Sequence, residues 1–293
     1  MKNIIKRESL RVMKVFNFFH KDAGRVIPGF SMSLGITLTM MSLLVLIPLA
    51  SILVYSLHLS AADYMKLVSN EAIRNAFITS ISCSLAAALV NCVFGMILAW
   101  ILVRCDFTGK RFLNGLIELP FALPTAVAGI TLSKMYSDTG MIGSLFAQWD
   151  IKIAYTQLGL TIALIFVGIP FVVRSIQPVL EKLDPSYEEA GRMMGAGSFT
   201  IFRRIIFPEL LPAVLTGFGL AFARGLGEYG SVIYIAGNSA KDHTQVVSYV
   251  IMQKLNYTDY ASATAIALAM LVIAFIVLFA INMIQLHQAK RAL

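Results

Sequence analysis

The sequence predicts an all-α integral membrane protein with about six transmembrane helices. The chain has 293 residues, of which 58% are hydrophobic and only 14% charged, and its mean hydropathy is +0.76. A soluble domain of average composition is about half apolar and a quarter charged. The excess apolar residues form blocks of about 20 or more, the length at which a helix crosses the hydrocarbon core of a bilayer.

Six apolar blocks are long enough to be transmembrane spans. They cover roughly residues 31–57, 76–103, 112–135, 157–180, 209–236 and 261–286. Backbone groups in lipid must pair internally, and the sequence lacks the alternation typical of barrel strands, so each span should be a helix. The expected organisation is an N-terminal tail over residues 1–30, a transmembrane domain over residues 31–286 and a C-terminal tail over residues 287–293.

The N-terminal tail is basic and contains seven of the 24 Lys and Arg residues. The apolar run that follows is far longer than the hydrophobic region of a cleavable signal, so this tail should remain in the protein. Val12, Phe16 and Phe19 recur at helical spacing, which predicts a short amphipathic helix at the inner membrane surface. A disordered basic tail is the alternative.

Basic residues also predict the orientation. With these spans, most Lys and Arg fall in the N-terminal tail, in the second and fourth loops and after residue 286. Because basic loops are retained in the cytoplasm, both termini should be cytoplasmic. The net charge of +8 therefore orients the protein in a membrane and does not indicate nucleic-acid binding.

Prolines interrupt the third span. Pro120 and Pro124 remove backbone donors and should disturb the helix, so the freed carbonyl groups need partners in a packed or cavity-lining setting. Thr125 and Gly129 follow directly and would lie at a helix contact or on a translocation path. Packing and kinking are the default interpretation of this segment.

The fourth loop, residues 181–208, is the longest polar stretch between spans. Asp184 and Pro185 provide an N-cap and a proline in the first turn, while Ser186 and Glu189 offer an alternative capping box. A short helix should begin here and end at Gly195 or at Gly197. It would place small and methionine side chains on or near one face, which suits docking into a groove of another protein; these are Ala190, Met193 and Met194.

The fifth span contains two charges. Arg224 and Glu228 are four residues apart, so on one helix they would share a face and pair. Charges at this depth usually face the bundle interior or a water-filled path, and Gly227 and Gly230 favour a break or a close helix contact. The segment is either part of the pathway or gate or a structural ion pair, and the two interpretations are compatible.

The other polar residues and the cysteines in or near the spans are expected to have structural roles only. Asn91 should form an interhelical hydrogen bond, and Arg174 should extend to the inner surface. Cys83, Cys92 and Cys105 are expected to form neither a disulfide nor a metal site.

The sequence contains no nucleotide-binding motif of the form G-x-x-x-x-G-K-[ST], because Gly109–Lys110 lacks both the upstream glycine and the following hydroxyl residue. It also contains no H-E-x-x-H or paired aspartates within spans, which argues against a membrane-embedded enzyme. No duplication relates its two halves, which weakens the alternative of an ATP-independent secondary transporter built from repeats. Arg224 and Glu228 would be the only ion site available to such a transporter.

The fourth loop resembles the EAA loop of ABC importer permeases, E-A-A-x3-G-x9-I-x-L-P. The matching residues are Glu189, Ala190, Gly191, Gly195, Ile205, Phe207 and Pro208. Gly191 replaces the second alanine and Phe207 the leucine, so a small residue stays small and a large apolar residue stays large. The resemblance implies that a separate ATPase subunit docks on this loop, with Met193 and Met194 on the docking helix.

Two further segments, residues 119–132 and 227–238, resemble the sulfate/thiosulfate permeases (CysT type) within the family that also contains molybdate permeases. This resemblance implies a type I ABC importer permease architecture in a bacterial inner membrane. The implied partners are two copies of an ATPase, a second related permease of the CysW type and a periplasmic sulfate/thiosulfate-binding protein. No cofactor is expected on this chain, because ATP would be bound by the partner. Molybdate, tungstate or another oxyanion is the alternative substrate.

Overall fold

The computed structural model describes residues 30–292, with side-chain environments for residues 32–285. The amphipathic helix predicted for the N-terminal tail lies outside these residues. The chain divides into two compact units between Tyr55 and Ser56. The first unit contains α1, Phe30–Met41, and all but the last residue of α2, Ile47–Ser56; a π-helical turn over Ser42–Leu46 joins the two helices. These segments form one apolar stretch, Met32–Ser56, long enough to cross a membrane.

The second unit is helical over most of its described length. Its helices are α3 Ala61–Ser69, α4 Glu71–Arg104, α5 Lys110–Ala122, α6 Thr125–Tyr136, α7 Gly143–Ala147, α8 Gln157–Lys182, α9 Ser186–Met193, α10 Ser198–Ile201, α11 Phe207–Leu226, α12 Val232–Ile235, α13 Val247–Asn256 and α14 Tyr260–Ala292. A π-helical turn, Phe202–Ile206, joins α10 to α11.

Three long helices, α4, α8 and α11, form the core of the second unit. Each helix contributes fully buried apolar side chains, among them Ala99, Ile176 and Leu210. The backbones of α8 and α11 approach closely at Gly217, where an added Cβ would lie 2.8 Å from the Cα atom of Val172. Small residues at such crossings allow dispersion contacts to hold helices together in lipid, where the hydrophobic effect gives no help.

The membrane spans agree with the predicted number. Within the described residues, five helices are long and apolar enough to cross a membrane, and a sixth span results if the bent pair α5–α6 is counted as one. The predicted third span is therefore divided into two helices, with an angle of 111° between α5 and α6. Leu123 precedes Pro124 and is extended, with φ −82° and ψ 134°. Proline disfavours helical geometry in the residue before it, which explains the break at this position.

The fifth span differs from its predicted boundaries of 209–236. The observed span is Ser198–Leu226, because α10 and the π-helical turn continue into α11 without interruption. It ends early at Gly227, after which the Glu228 amide donates to the carbonyl of Gly225 over 3.2 Å in a tight turn. The apolar residues beyond it form the separate short helix α12, which packs on α6 and α8.

Candidate functional site

The predicted docking helix exists as α9 and is capped at both ends. A carboxylate oxygen of Asp184 accepts a 2.9 Å hydrogen bond from the Ser186 amide, so the first of the two predicted caps is the one formed. This hydrogen bond holds the pKa of Asp184 below its ordinary value. At the other end Gly195 has φ +80°, and the amides of Gly195 and Ala196 donate to the carbonyls of Arg192 and Gly191 over 2.9 and 3.0 Å. This Schellman arrangement confirms Gly195 as the residue that ends the helix.

The two sides of α9 have different roles. Glu189 and Ala190 are exposed, and Met193 and Met194 are 89% and 80% exposed. Gly191 lies on the opposite, buried side. An added Cβ there would lie 3.0 Å from Ile201 and 3.3 Å from Ile205, which explains why a very small residue occupies the position. The structure therefore separates the EAA-like residues into an exposed methionine face and a buried contact with the following helix.

The buried side of α9 continues through Ile205 into α11, whose first turn contains Pro208. Because α10 and the π-helical turn continue into α11, Pro208 lies inside one span, and its missing amide donor falls directly after that turn. Ile201 and Ile206 are both buried in the same core as α4 and α8. The loop is thus packed onto the membrane helices and is not a free connection.

An ion pair fixes α9 to the end of α4. The Arg104 guanidinium lies 3.1 Å from the Glu188 carboxylate, and the two side chains are only 20% and 13% exposed. Arg104 also donates to the Leu183 carbonyl over 3.2 Å. Beside this pair, the rings of Trp100 and Phe202 meet edge to face at 5.9 Å. Because these contacts are partly buried, they hold α9 more firmly than a surface ion pair would.

The charged pair of the fifth span forms, although the two residues do not share a helix. Arg224 lies in the last turn of α11 and Glu228 lies beyond its end, yet a guanidinium nitrogen contacts one carboxylate oxygen directly. The other carboxylate oxygen accepts hydrogen bonds from the Ser231 amide and hydroxyl at 2.8 and 2.9 Å. The Glu228 side chain is 1% exposed, whereas that of Arg224 is 34% exposed. The carboxylate is therefore fixed, while one side of the guanidinium remains accessible.

The second half of the broken third span, α6, packs against the residues that follow this pair. An added Cβ on Gly230 would lie 2.1 Å from the Thr125 hydroxyl, and one on Gly129 would lie 2.3 Å from the Ser231 carbonyl. The Ser248 hydroxyl of α13 donates to the Glu228 carbonyl over 2.7 Å. Gly227 is exposed, so it ends the helix and makes no close contact. Four of the five predicted pathway residues therefore form one cluster: Thr125, Arg224, Glu228 and Gly230.

Replacing Gly129 by alanine should destabilise this cluster, because the new Cβ would meet backbone rather than a flexible side chain. Overpacking of this kind costs about 1–3 kcal/mol. The midpoint of thermal unfolding in detergent should fall clearly. Gly115→Ala, on α5 with nothing within 4 Å, is the matched control and should leave the midpoint unchanged or slightly higher. Equal midpoints for the two variants would contradict the close approach of α6 to Ser231.

The expectation of an interhelical hydrogen bond at Asn91 was wrong. Asn91 is fully buried beside Gly168, and neither of its side-chain polar atoms has a hydrogen-bond partner among the described residues. Arg174 has partners that the sequence did not indicate, and its predicted extension to the inner surface stays a prediction. Its guanidinium pairs with Glu118 and hydrogen-bonds the Asn114 side chain over 3.0 Å, both on α5.

Arg104 and Ser231 were missed by sequence reasoning. Ser231 follows the intramembrane Glu228 by three residues, and a hydroxyl at that spacing can satisfy a carboxylate just after a helix end. Arg104 is the last residue of an apolar span, and Glu188 lies in the first turn of the polar loop helix. Opposite charges at the same end of the spans could have indicated this ion pair. The sequence alone does not distinguish either pairing from pairings with other polar residues, because that requires the arrangement of the helices.

This fold and this site define a membrane-embedded permease subunit. Within the described residues, five helices and one bent pair are long and apolar enough to form spans, and one short capped helix lies outside them. The chain belongs to the family of binding-protein-dependent transport system inner membrane components, whose model matches residues 91–293.

Named relatives and solved structures agree with this family. The sulfate transport system permease protein CysT of Salmonella typhimurium LT2 is 45% identical over 91% of this chain and 96% of its own length. The protein of the same name from Escherichia coli K12 is 43% identical over 93% of this chain and 98% of its own length.

Among solved structures, the fold is similar to a chain of a bacterial alginate ABC transporter in complex with its periplasmic protein. The TM-score is 0.72 at 16% identity, covering 90% of this chain and 94% of that one. It is also similar to a chain of the MetNI methionine ABC transporter, with a TM-score of 0.56 at 14% identity, covering 78% of this chain and 99% of that one. These likenesses support the ABC permease fold.

Proposed function

We propose that this chain is a transmembrane permease subunit of an ATP-driven ABC importer for sulfate and thiosulfate. The observation that carries the proposal is α9, a helix capped at both ends that presents Met193 and Met194 to a partner and is ion-paired to a membrane helix. The relatives named sulfate transport permeases, which match over nearly their whole length, support the choice of substrate.

The proposed complex contains two copies of an ATPase, a second related permease of the CysW type and a periplasmic sulfate/thiosulfate-binding protein. ATP binds to the ATPase, and this chain needs no cofactor of its own. We place the complex in the bacterial inner membrane with α9 and both termini in the cytoplasm. The basic residues on the same side as α9, such as Arg203 and Arg204, support this orientation.

Coupling would begin at the methionine face of α9. ATP binding closes the ATPase pair and moves the docked helix, and the Arg104–Glu188 ion pair transmits this motion to α4. The movement opens the path outward to receive substrate, and hydrolysis resets it. Since α9 is short, capped and packed through Gly191, it can be displaced as a unit and need not bend.

The Arg224–Glu228 cluster is the proposed meeting point with the substrate. Among the described residues Arg224 forms an ion pair only with Glu228 and is 34% exposed, so its other N–H groups are available to an oxyanion. Glu228 offsets much of the positive charge, which keeps the interaction weak. Weak binding suits a permease that is supplied by a separate high-affinity binding protein and must release its substrate quickly.

Uptake by the reconstituted complex tests this function. Vesicles containing both permeases and the ATPase, with the binding protein added on the outer side, should accumulate labelled sulfate and thiosulfate only when ATP is supplied. Molybdate accumulation in preference to sulfate would replace the proposed substrate. ATP-independent accumulation would favour a secondary transporter and reject the ABC assignment.

The docking face can be tested separately. Met193→Glu places a charge on the proposed interface and should reduce ATPase co-purification and uptake by about tenfold or more, as expected when a charge is buried unpaired in an interface. Met141, which is 76% exposed near α7, provides the matched control Met141→Glu. If both variants bound the ATPase equally well, α9 would not be the docking site.

A further inference from the structure

We propose that Arg174 and Glu118 form a second anion-binding station on the translocation path, closed in this structure, where the transported dianion displaces Glu118. The inference rests on the proposed function. It concerns a pair that lies on α8 and α5, apart from the Arg224–Glu228 cluster.

Four oxygen contacts surround the Arg174 guanidinium. One terminal nitrogen donates to the Asn114 side-chain oxygen at 3.0 Å and to the Gln177 oxygen at 2.6 Å. The other donates to the Asn114 carbonyl at 3.4 Å and to a carboxylate oxygen of Glu118. The protein thus supplies an oxygen shell of the kind that an oxyanion would provide. Only one member of that shell, Glu118, is an anion.

The pair lies well inside the membrane helices. Arg174 is eight residues from the end of α8, which corresponds to about 12 Å of helix. Its side chain is 29% exposed in the isolated chain, and that of Glu118 is 57% exposed. Charged side chains at such depth avoid lipid and face a water-filled space or another protein chain. The exposed side of this pair is therefore expected to border the path or the second permease.

The two charge pairs are separated along the membrane normal. On the antiparallel helices α8 and α11, Gly168 lies beside Ala221 and Val172 beside Gly217. Arg174 is therefore level with residue 215 of α11. Nine residues separate that level from Arg224, which is about 13 Å along the helix. An anion leaving Arg224 toward the α9 end of the membrane helices would reach the level of Arg174 next.

The broken third span connects the two pairs. Its first half, α5, contains Glu118, and the first residue of its second half, Thr125, lies against Gly230 beside Glu228. The bend of 111° falls between them. A change in this bend would move Glu118 relative to Arg174 and Thr125 relative to Gly230 in one motion. The second station can in this way open when the first is disturbed.

The exchange at Arg174 involves no covalent step. Sulfate and thiosulfate carry two negative charges, and their oxygens can accept the guanidinium N–H groups in the geometry that favours carboxylate and phosphate. Displaced Glu118 remains nearby and returns to Arg174 as the dianion leaves. Competition between an internal carboxylate and the substrate thus gives a station that binds briefly and releases quickly.

The charge-swapped variant Glu118→Arg/Arg174→Glu distinguishes an anion-binding station from an ion pair that only holds α5 and α8 together. The swap preserves an ion pair between α5 and α8, so assembly and thermal stability should approach those of the wild-type complex. Uptake of labelled sulfate in the reconstituted complex should nevertheless stay about tenfold or more below wild type, because the guanidinium would then start from α5, without the Asn114 and Gln177 contacts that hold that of Arg174 in place. Uptake restored by the swap would show that the pair only ties the helices together and would overturn the inference.

Glu118→Gln provides a second test, because a purely structural ion pair between α5 and α8 would not affect inhibition by internal sulfate. Without the competing carboxylate, sulfate should leave Arg174 more slowly, so sulfate loaded inside the vesicles should inhibit uptake at a concentration about fivefold or more below that needed for wild type. An unchanged inhibitory concentration would also overturn the inference. Wild-type vesicles in the same preparation report on the proposed function separately, since absent ATP-driven sulfate uptake there would reject both.

Discussion

Replacing Gly195 by valine should abolish most ATP-driven uptake while the protein still inserts and assembles with the second permease. Gly195 has φ +80°, a conformation that is costly for a β-branched residue. The expected cost is about 1–3 kcal/mol, enough to unwind the last turn of α9. Met193 and Met194 would then lose their fixed position. Co-purification of the ATPase and uptake into vesicles should both fall by about tenfold or more.

Gly197→Val is a closely matched control for this prediction. Gly197 is equally open, with no atom within 4 Å of an added Cβ, but its φ of −68° suits any residue. Gly195→Asn is the second control, because asparagine tolerates the left-handed conformation better than other residues with a side chain. Both controls should retain most uptake. Normal ATPase assembly and uptake in Gly195→Val would reject the coupling role of α9.

Glu228→Gln should reduce uptake by about tenfold or more, with the complex still assembled. Glutamine retains the shape of glutamate and can still accept from Ser231, but it leaves Arg224 without its counter-charge inside the membrane helices. The guanidinium must then adopt another position or hold the oxyanion too strongly, and either change disturbs passage. Uptake rates at saturating binding protein provide the measurement, and ATPase activity of the same complex shows whether coupling persists.

Asn91→Ala is the reference for Glu228→Gln. Asn91 is as buried as Glu228, but its amide has no hydrogen-bond partner among the described residues. Removing a buried polar group that is already unpartnered has little cost, so uptake should stay within about threefold of wild type. If Glu228→Gln also left uptake unaffected, the charged pair would be reduced to a structural role.

The sequence was sufficient for those features of the fold that depend on local chemistry. Apolar length predicted the number of spans, because each span must contain enough apolar residues to cross the bilayer. Asp184 and Gly195 predicted both ends of α9, since an N-cap carboxylate and a left-handed glycine act through their own neighbours. The exposed methionine face of α9 also followed from helical spacing.

Features that depend on the arrangement of helices could not be predicted. Hydropathy counts α12 as part of the fifth span, because its residues are apolar, but Glu228 accepts from Ser231 and the chain turns there instead. The pairing of Arg174 with Glu118 joins residues that are 56 positions apart. No periodicity in a single sequence selects that partner over the membrane surface.

Helix α4 reaches from the docking helix to the opposite face of the second unit. At one end Arg104 pairs with Glu188 of α9, and in the other half of the helix Thr79 donates to the His243 carbonyl while the Ser80 hydroxyl accepts from the Val247 amide. With 34 residues, α4 is about 50 Å long. Thr79 lies about 37 Å along the helix from Arg104, so a tilt of about 5° about the α9 end would displace the Thr79 level by about 3 Å. Under the proposed coupling, a movement of α9 would therefore displace the segment before α13. A single helix would transmit this movement, and the side chains between the two ends would not need to rearrange.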